Sequence, residues 1–306
     1  MKKTVSLLLA FMLCVSLIGC SNQKAAEGTP VQIDYDAATI SYLGPEGTYT
    51  QEACEKFFDG KGSYFPYETV PNAVQALTEG KSNYAVIPQE NTLGGPTTDY
   101  IDAFLATDDA HVVGEVVLPI RQTLMGLPET DLSQVTRVLS HKQGLAQSSA
   151  WLNKNLPSAE RVETASTAAA AQAVAEGNDA TIAAIAAPGA ASLYGLTVLQ
   201  ENVSQSEANK TRFYVVSRHP NELPGYDRAV FVASLAAEEL PSTLEAACSN
   251  GAKLVCVHDR PEKSELGVYR YLIELEREGG FTDDEIARIE HDSKLKCLGC
   301  CAHVEG

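Results

Sequence analysis

Positive charge is scarce in this sequence. Its 23 lysines and arginines face 40 aspartates and glutamates, giving a formal net charge of −17. The basic residues form no block and no stretch interleaved with aromatics, so no nucleic-acid partner is expected. Long apolar runs are equally rare. The one candidate, from Val5 to Gly19, is short of the roughly 20 apolar residues that a stable membrane span requires. Solenoid-type repeats are absent. What is present is ordinary globular composition, 44% hydrophobic and 21% charged over 306 residues. That length has room for two domains, one of them divided into lobes.

The N-terminus reads as a processing segment. Lys2-Lys3 precede the apolar run to Gly19, a basic n-region followed by an h-region. The run closes in Leu17-Ile18-Gly19-Cys20, which resembles the lipobox of bacterial lipoproteins. Residues 1–19 are therefore expected to be a signal peptide and Cys20 a lipidated mature N-terminus. Residues 20–37 would be a polar tether, which places the protein outside the cytoplasm on a membrane lipid anchor.

Of the eight cysteines, Cys14 falls in this leader, and Cys54, Cys248 and Cys256 lie scattered in apolar contexts. Cys297, Cys300, Cys301 and His303 carry metal-ligand chemistry. They share one apparent strand, where alternate residues face opposite ways, and no second paired motif is nearby. No metal is assigned there. A disulfide is compatible with export, but the sequence does not choose its pairs.

Along the chain, strands and helices alternate. A strand over 38–43 runs into the Gly44-Pro45-Glu46-Gly47-Thr48 loop, ahead of a helix from Tyr49. A helix covers 70–78, and a short strand over 84–88 stops at Pro88. Further strands cover 112–118, 136–139 and 161–165. Helices follow from Gly144 and from Ser166 through an alanine-rich run. This order implies an α/β domain with largely parallel sheets. Polar clusters follow the strand ends, where open α/β sheets form ligand crevices and helix N-termini attract anions. Residues 219–227 read as a linker. Beyond it the order βαββαβ, over 228–306, fits a small ferredoxin-like domain.

Several segments, in order, resemble the prephenate dehydratase family. They are Gly44-Pro45-Glu46-Gly47-Thr48-Tyr49, Pro88-Gln89-Glu90-Asn91-Thr92, Ser140-His141-Lys142-Gln143 with Leu145-Ala146-Gln147, Ser166-Thr167-Ala168, and Asn209 followed by Thr211-Arg212-Phe213. The resemblance implies a two-lobed catalytic domain, like a type II periplasmic binding protein, over residues 38–218. Its lobes would be about 38–115 with 206–218, and 116–205. An ACT domain would follow over 228–306.

The resemblance also implies roles for particular residues. Thr211 is expected to be the catalytic hydroxyl, donating to the leaving hydroxyl of prephenate. Asn91, Ser140, Gln143 and Ser166 are expected to hold the substrate carboxylates, with Thr48 as a further contact. Glu90 is expected to position neighbouring groups, and Arg212 either steers substrate or forms an internal ion pair. A structural role is expected for His141. No cofactor is implied. The expected partner is a small molecule, prephenate or else arogenate, and the expected assembly a homodimer or higher homo-oligomer.

Departures from the family pattern are specific. Gln122, Lys142 and Gln205 stand where the family often has histidine, proline and aspartate. Pro241-Ser242-Thr243-Leu244 and His258-Asp259-Arg260-Pro261 replace the two segments with which family members capture phenylalanine. Loss of phenylalanine control is therefore expected. A second functional reading stays open: a non-catalytic solute-binding lipoprotein for a small aromatic or cyclohexadienyl carboxylate. Intact Thr211-Arg212-Phe213 favours the enzyme, whereas the export signal favours the binder.

Overall fold

The computed structural model describes residues 33–305 apart from 108, 205, 207, 222–225 and 302. The expected signal peptide, Cys20, residues 20–32 of the expected tether, Gln205 and much of the expected linker lie outside the described residues.

The chain opens with β1 (Thr39–Leu43), α1 (Tyr49–Phe57), β2 (Ser63–Tyr67), α2 (Val70–Thr78), β3 (Tyr84–Asn91), β4 (Gly95–Pro96), α3 (Thr98–Leu105) and β5 (His111–Pro119). It crosses to a second sheet for β6 (Thr123–Gly126), β7 (Arg137–His141), α4 (Lys142–Gln147), α5 (Ser149–Asn155), β8 (Glu160–Thr164), α6 (Thr167–Gly177), β9 (Ile182–Ala186), α7 (Pro188–Leu193) and β10 (Thr197–Gln200). It then returns as β11 (Lys210–Ser217), between β3 and β5 in the first sheet. The two crossings join two lobes, the arrangement of type II periplasmic binding proteins.

Both sheets are mixed rather than largely parallel, because each crossing strand must run back against its neighbours. β11 is antiparallel to both β3 and β5, while β1 is parallel to β2 and β3. β3 also runs past Pro88 to Asn91. Gln89 is an extra residue there, since Phe213 pairs with Pro88 and Arg212 with Glu90. A bulge is where a strand tolerates a proline. The alanine-rich run does not stay helical. α6 ends at left-handed Asn178, and Ile182–Ala186 follows as a buried strand. A strand covered on both faces needs no alternation, so its composition hides it.

β11 shows how the core is built. Phe213 and Val215 pack on one face of the sheet, and Tyr214 and Val216 on the other. That second face is covered by the C-terminal unit: β12 (Arg228–Ala236), α8 (Leu240–Cys248), β13 (Lys253–Pro261), β14 (Val268–Glu276), α9 (Asp283–Ser293) and β15 (Lys296–Cys301). Its strands lie in the ferredoxin-like order β13-β14-β12-β15. Val230, Val232 and Leu272 share a core with Tyr214, Ile101 and Phe104 of the first lobe. β16 (His303–Glu305) then joins the first sheet beside β5, an extension the sequence reading did not contain. Among the described residues no helix is long and apolar enough to cross a membrane.

Candidate active site

Between the lobes lies a cleft of about 290 Å³. β11 enters it at its polar end. Strand alternation turns Thr211 and Phe213 into the cleft and Arg212 away from it. Asn91, opposite Thr211 in register, faces the cleft as well.

The amide of Asn91 fixes the hydroxyl. Its Oδ1 accepts from the backbone N–H groups of Leu93 (3.0 Å) and Gly94 (2.9 Å). Those two bonds set the orientation of the amide, so Nδ2 is the donor on the other side. Nδ2 donates to Asn209 Oδ1 at 2.9 Å, to the Lys210 carbonyl at 3.1 Å and to Thr211 Oγ1 at 2.9 Å. The Thr211 oxygen is thus used as an acceptor, and its proton remains to be donated into the cleft.

Helix starts supply the other walls. Thr48 caps α1, accepting from Gln51 N at 3.4 Å and donating to the Leu43 carbonyl at 3.2 Å. Ser166 caps α6, accepting from Ala169 N at 3.0 Å. Both line the cleft, as do Thr167 and Gln143. Gln143 reaches the opposite lobe, where its Nε2 stands 3.2 Å from the position a Cβ on Gly94 would take. His141 also lines the cleft and caps α4, its Nδ1 accepting from Gln143 N at 3.3 Å. Among the described residues that line this cleft there is no Asp, Glu, Lys or Arg. An acidic protein thereby offers a site without fixed negative charge.

Three of the candidate site residues, Ser140, Glu90 and Arg212, do not line the cleft. Ser140 is fully buried beneath it and donates to the Ile185 carbonyl at 2.7 Å. Gly144 lies over it so closely that a Cβ would come within 2.5 Å of the serine oxygen. Glu90 and Arg212 are neighbours in register on β3 and β11, and alternation puts both on the face toward the C-terminal unit. Arg212 forms the internal ion pair, with Nη1 2.8 Å from Glu274 Oε2 and Nε 3.9 Å from Glu115.

Glu274 is the hub of that buried cluster. It also accepts from the Tyr214 hydroxyl at 3.0 Å and pairs with Arg228 at 2.7 Å. Burial pushes its carboxyl up, but Arg212, a hydrogen bond with Glu115, Arg228 and the Tyr214 hydroxyl together outweigh burial and hold it below the ordinary range. Glu115 goes the other way. Burial, then repulsion from Glu274, raises it to about 7, although His303 contacts it at 2.5 Å.

Sequence reasoning gave no role to Gln122 and Gln147, which also line the cleft. Gln122 Nε2 donates to Gln147 Oε1 at 3.0 Å, leaving the buried Gln122 Oε1 without a partner among the described residues. The available signals were the place of Gln147 in the Leu145-Ala146-Gln147 segment and of Gln122 where the family often has histidine. Thr97 and Tyr100 were missed because α3 was not expected. Among the described residues no group of three or more His, Cys, Asp or Glu side chains is placed to hold a metal.

Fold and site together define a two-lobed α/β protein with a neutral, hydroxyl- and amide-lined cleft at its hinge. Residues 40–221 match the family profile of prephenate dehydratase. The chain is 33% identical over 277 residues to a prephenate dehydratase of Amycolatopsis methanolica, covering 87% of this chain and 89% of that one. It is 35% identical over 240 residues to a bifunctional chorismate mutase/prephenate dehydratase of Neisseria gonorrhoeae, where the match covers 78% of this chain but only 66% of that one. The crystal structure of a prephenate dehydratase from Arthrobacter aurescens in complex with L-Phe superposes with a TM-score of 0.76. It is 30% identical, over 86% of this chain and 90% of that chain. The chain belongs to the prephenate dehydratase family.

Proposed function

We propose that this chain converts prephenate to phenylpyruvate by decarboxylating dehydration. The bond between the ring and its carboxylate breaks, and its electron pair completes the aromatic ring. Carbon dioxide departs, and hydroxide leaves as the C–O bond opens. The product ring makes the reaction favourable, so the barrier lies in expelling a poor leaving group. A hydroxyl aimed at that oxygen stabilises the charge that develops on it.

The observation that carries this reading is the Asn91–Thr211 hydrogen bond, which leaves the threonine proton to point into the cleft. Gln143, Ser166 and Thr48, with the N-termini of α1 and α6, would receive the substrate carboxylates. Glu90 and Arg212 would act from behind the strand, without contact to the substrate. Arogenate is the second candidate substrate. The protein as purified, incubated with prephenate, should form phenylpyruvate. Saturable binding of prephenate without turnover would instead assign a solute-binding protein.

The C-terminal unit is read as an ACT domain with a structural or dimerising role, in a homodimer or higher homo-oligomer. We read Leu17-Ile18-Gly19-Cys20 as a lipidation signal that anchors the chain outside the cytoplasm. Cys20→Ser should then release the protein from membranes or block its processing. A parent chain that stays in the cytosol with Met1 retained would refute the anchor.

A further inference from the structure

We propose that Cys297 and Cys300 form a redox-modification site, a thiol pair that closes to an intrachain disulfide by exchange with an organic disulfide. On an unbroken strand, residues three apart face opposite ways. β15 is not unbroken. Cys297 pairs with Phe231 and Gly299 with Val230, so Leu298 is the extra residue of a bulge. The bulge reverses the phase. Cys297 and Cys300 stand opposite Phe231 and Ala229, two partners apart on β12 and on one face.

Packing agrees with the register. Cys300 is buried with Phe231 and Ala229 in the core beneath α8 and α9, and Cys297 packs against the same core. Leu298 and Cys301 pack with Val230 and Val232 on the opposite face. Same-face neighbours on a strand are about 6.5–7 Å apart between Cα atoms. Disulfides span about 4.4–6.8 Å. Closure therefore asks for a small tightening of the bulge, whose hinge is Gly299 at φ +144°. A Cβ at Gly299 would lie 2.2 Å from the Val112 carbonyl oxygen, so no other residue fits this hinge.

The two thiols differ in a way that sets the order of exchange. Cys297 is half-buried, whereas Cys300 is buried. The neighbouring Cys297 and burial both push the Cys300 thiol well up. Cys297, as thiolate, attacks one sulfur of the organic disulfide and releases one thiolate. Cys300 then loses its proton and attacks Cys297 sulfur, expelling the second. Two electrons pass from the protein to the oxidant, which leaves as two thiols.

The test needs neither the assigned activity nor the anchor. The full chain is reduced, incubated with excess oxidised glutathione, quenched in acid, unfolded, alkylated and cleaved after Lys296. The peptide 297–306 should retain a Cys297–Cys300 link and carry a single alkyl group, on Cys301. In Cys300→Ser, glutathione should stay attached to Cys297. Three alkyl groups in the parent peptide, an alkyl group on Cys297 or Cys300, or a glutathione adduct that never closes would overturn the proposal.

Discussion

Arg212 and Glu274, 62 positions apart in the chain, meet at 2.8 Å on the far side of the strand that carries Thr211. The same Glu274 oxygen takes the Tyr214 hydroxyl at 3.0 Å, so one carboxylate of the C-terminal unit grips β11 at two alternate positions. Glu274→Ala would leave Arg212 and Arg228 facing each other without their shared partner. Breaking a buried pair in this way costs about 3–5 kcal/mol. Denaturant unfolding should show that loss, and Glu274→Gln should lose less, because its single amide oxygen still accepts from Arg212 and Tyr214, although not from Arg228. An alanine variant as stable as the parent would show that the cluster contributes nothing.

Glu115 gives the protein a pH signature. Its folded pKa of about 7 lies above the ordinary 4.5. Its contribution is fully present below the unfolded value and is lost as pH rises through the folded one, because the fold then holds a second anion against Glu274. Glu115→Gln removes this group's titration. The melting temperature of the variant, relative to the parent, should therefore climb between about pH 4.5 and 7 and level off above. A difference that stays constant over that window would assign the pKa elsewhere.

Asn91→Asp separates hydroxyl orientation from folding. The new side chain still offers an oxygen to Leu93 N and Gly94 N, but it no longer donates to Thr211. Asn209, whose Nδ2 lacks a partner among the described residues, can turn its amide to meet the carboxylate. The threonine proton would then point to the introduced carboxylate instead of the cleft. Turnover should fall by about 10²-fold, with thermal melting showing a folded protein. Undiminished turnover would mean that Asn91 does not direct the hydroxyl.

Phenylalanine should leave this protein indifferent. Pro241, in the first of the two segments where the family resemblance leads one to expect capture of the amino acid, offers no backbone N–H. Arg260, in the second segment, is held by Asp102 of the first lobe through two contacts of 2.6 Å. Millimolar phenylalanine is expected neither to slow turnover nor to raise the melting temperature. Tight calorimetric binding that disappears on changing Asp259 would restore allosteric control.

Much of this could be read from the chain, for identifiable reasons. Thr211 could be expected in the cleft through the resemblance carried by Thr211-Arg212-Phe213. Thr48 and Ser166 were expected there through the same resemblance, and each proves to be the N-cap of a helix. What stayed hidden depends on registers that no local pattern encodes. The bulge at Gln89 and the alternation beyond it decide that Glu90 faces the C-terminal unit while Asn91 faces the cleft. The bulge at Leu298 likewise decides that Cys297 and Cys300 share a face. The Arg212–Glu274 pair joins strands far apart in sequence, and Ser140 is claimed by a carbonyl of β9, a strand concealed in alanine-rich sequence.

The most direct test of the central claim is a steady-state comparison of the parent with Thr211→Ala and Thr211→Ser on prephenate. If the Thr211 hydroxyl stabilises the departing hydroxide, the alanine variant should lose about 10²–10³-fold in kcat at nearly unchanged melting temperature and substrate binding. The serine variant, which keeps the hydroxyl, should retain most of the activity. An alanine variant that forms phenylpyruvate as fast as the parent would contradict the account.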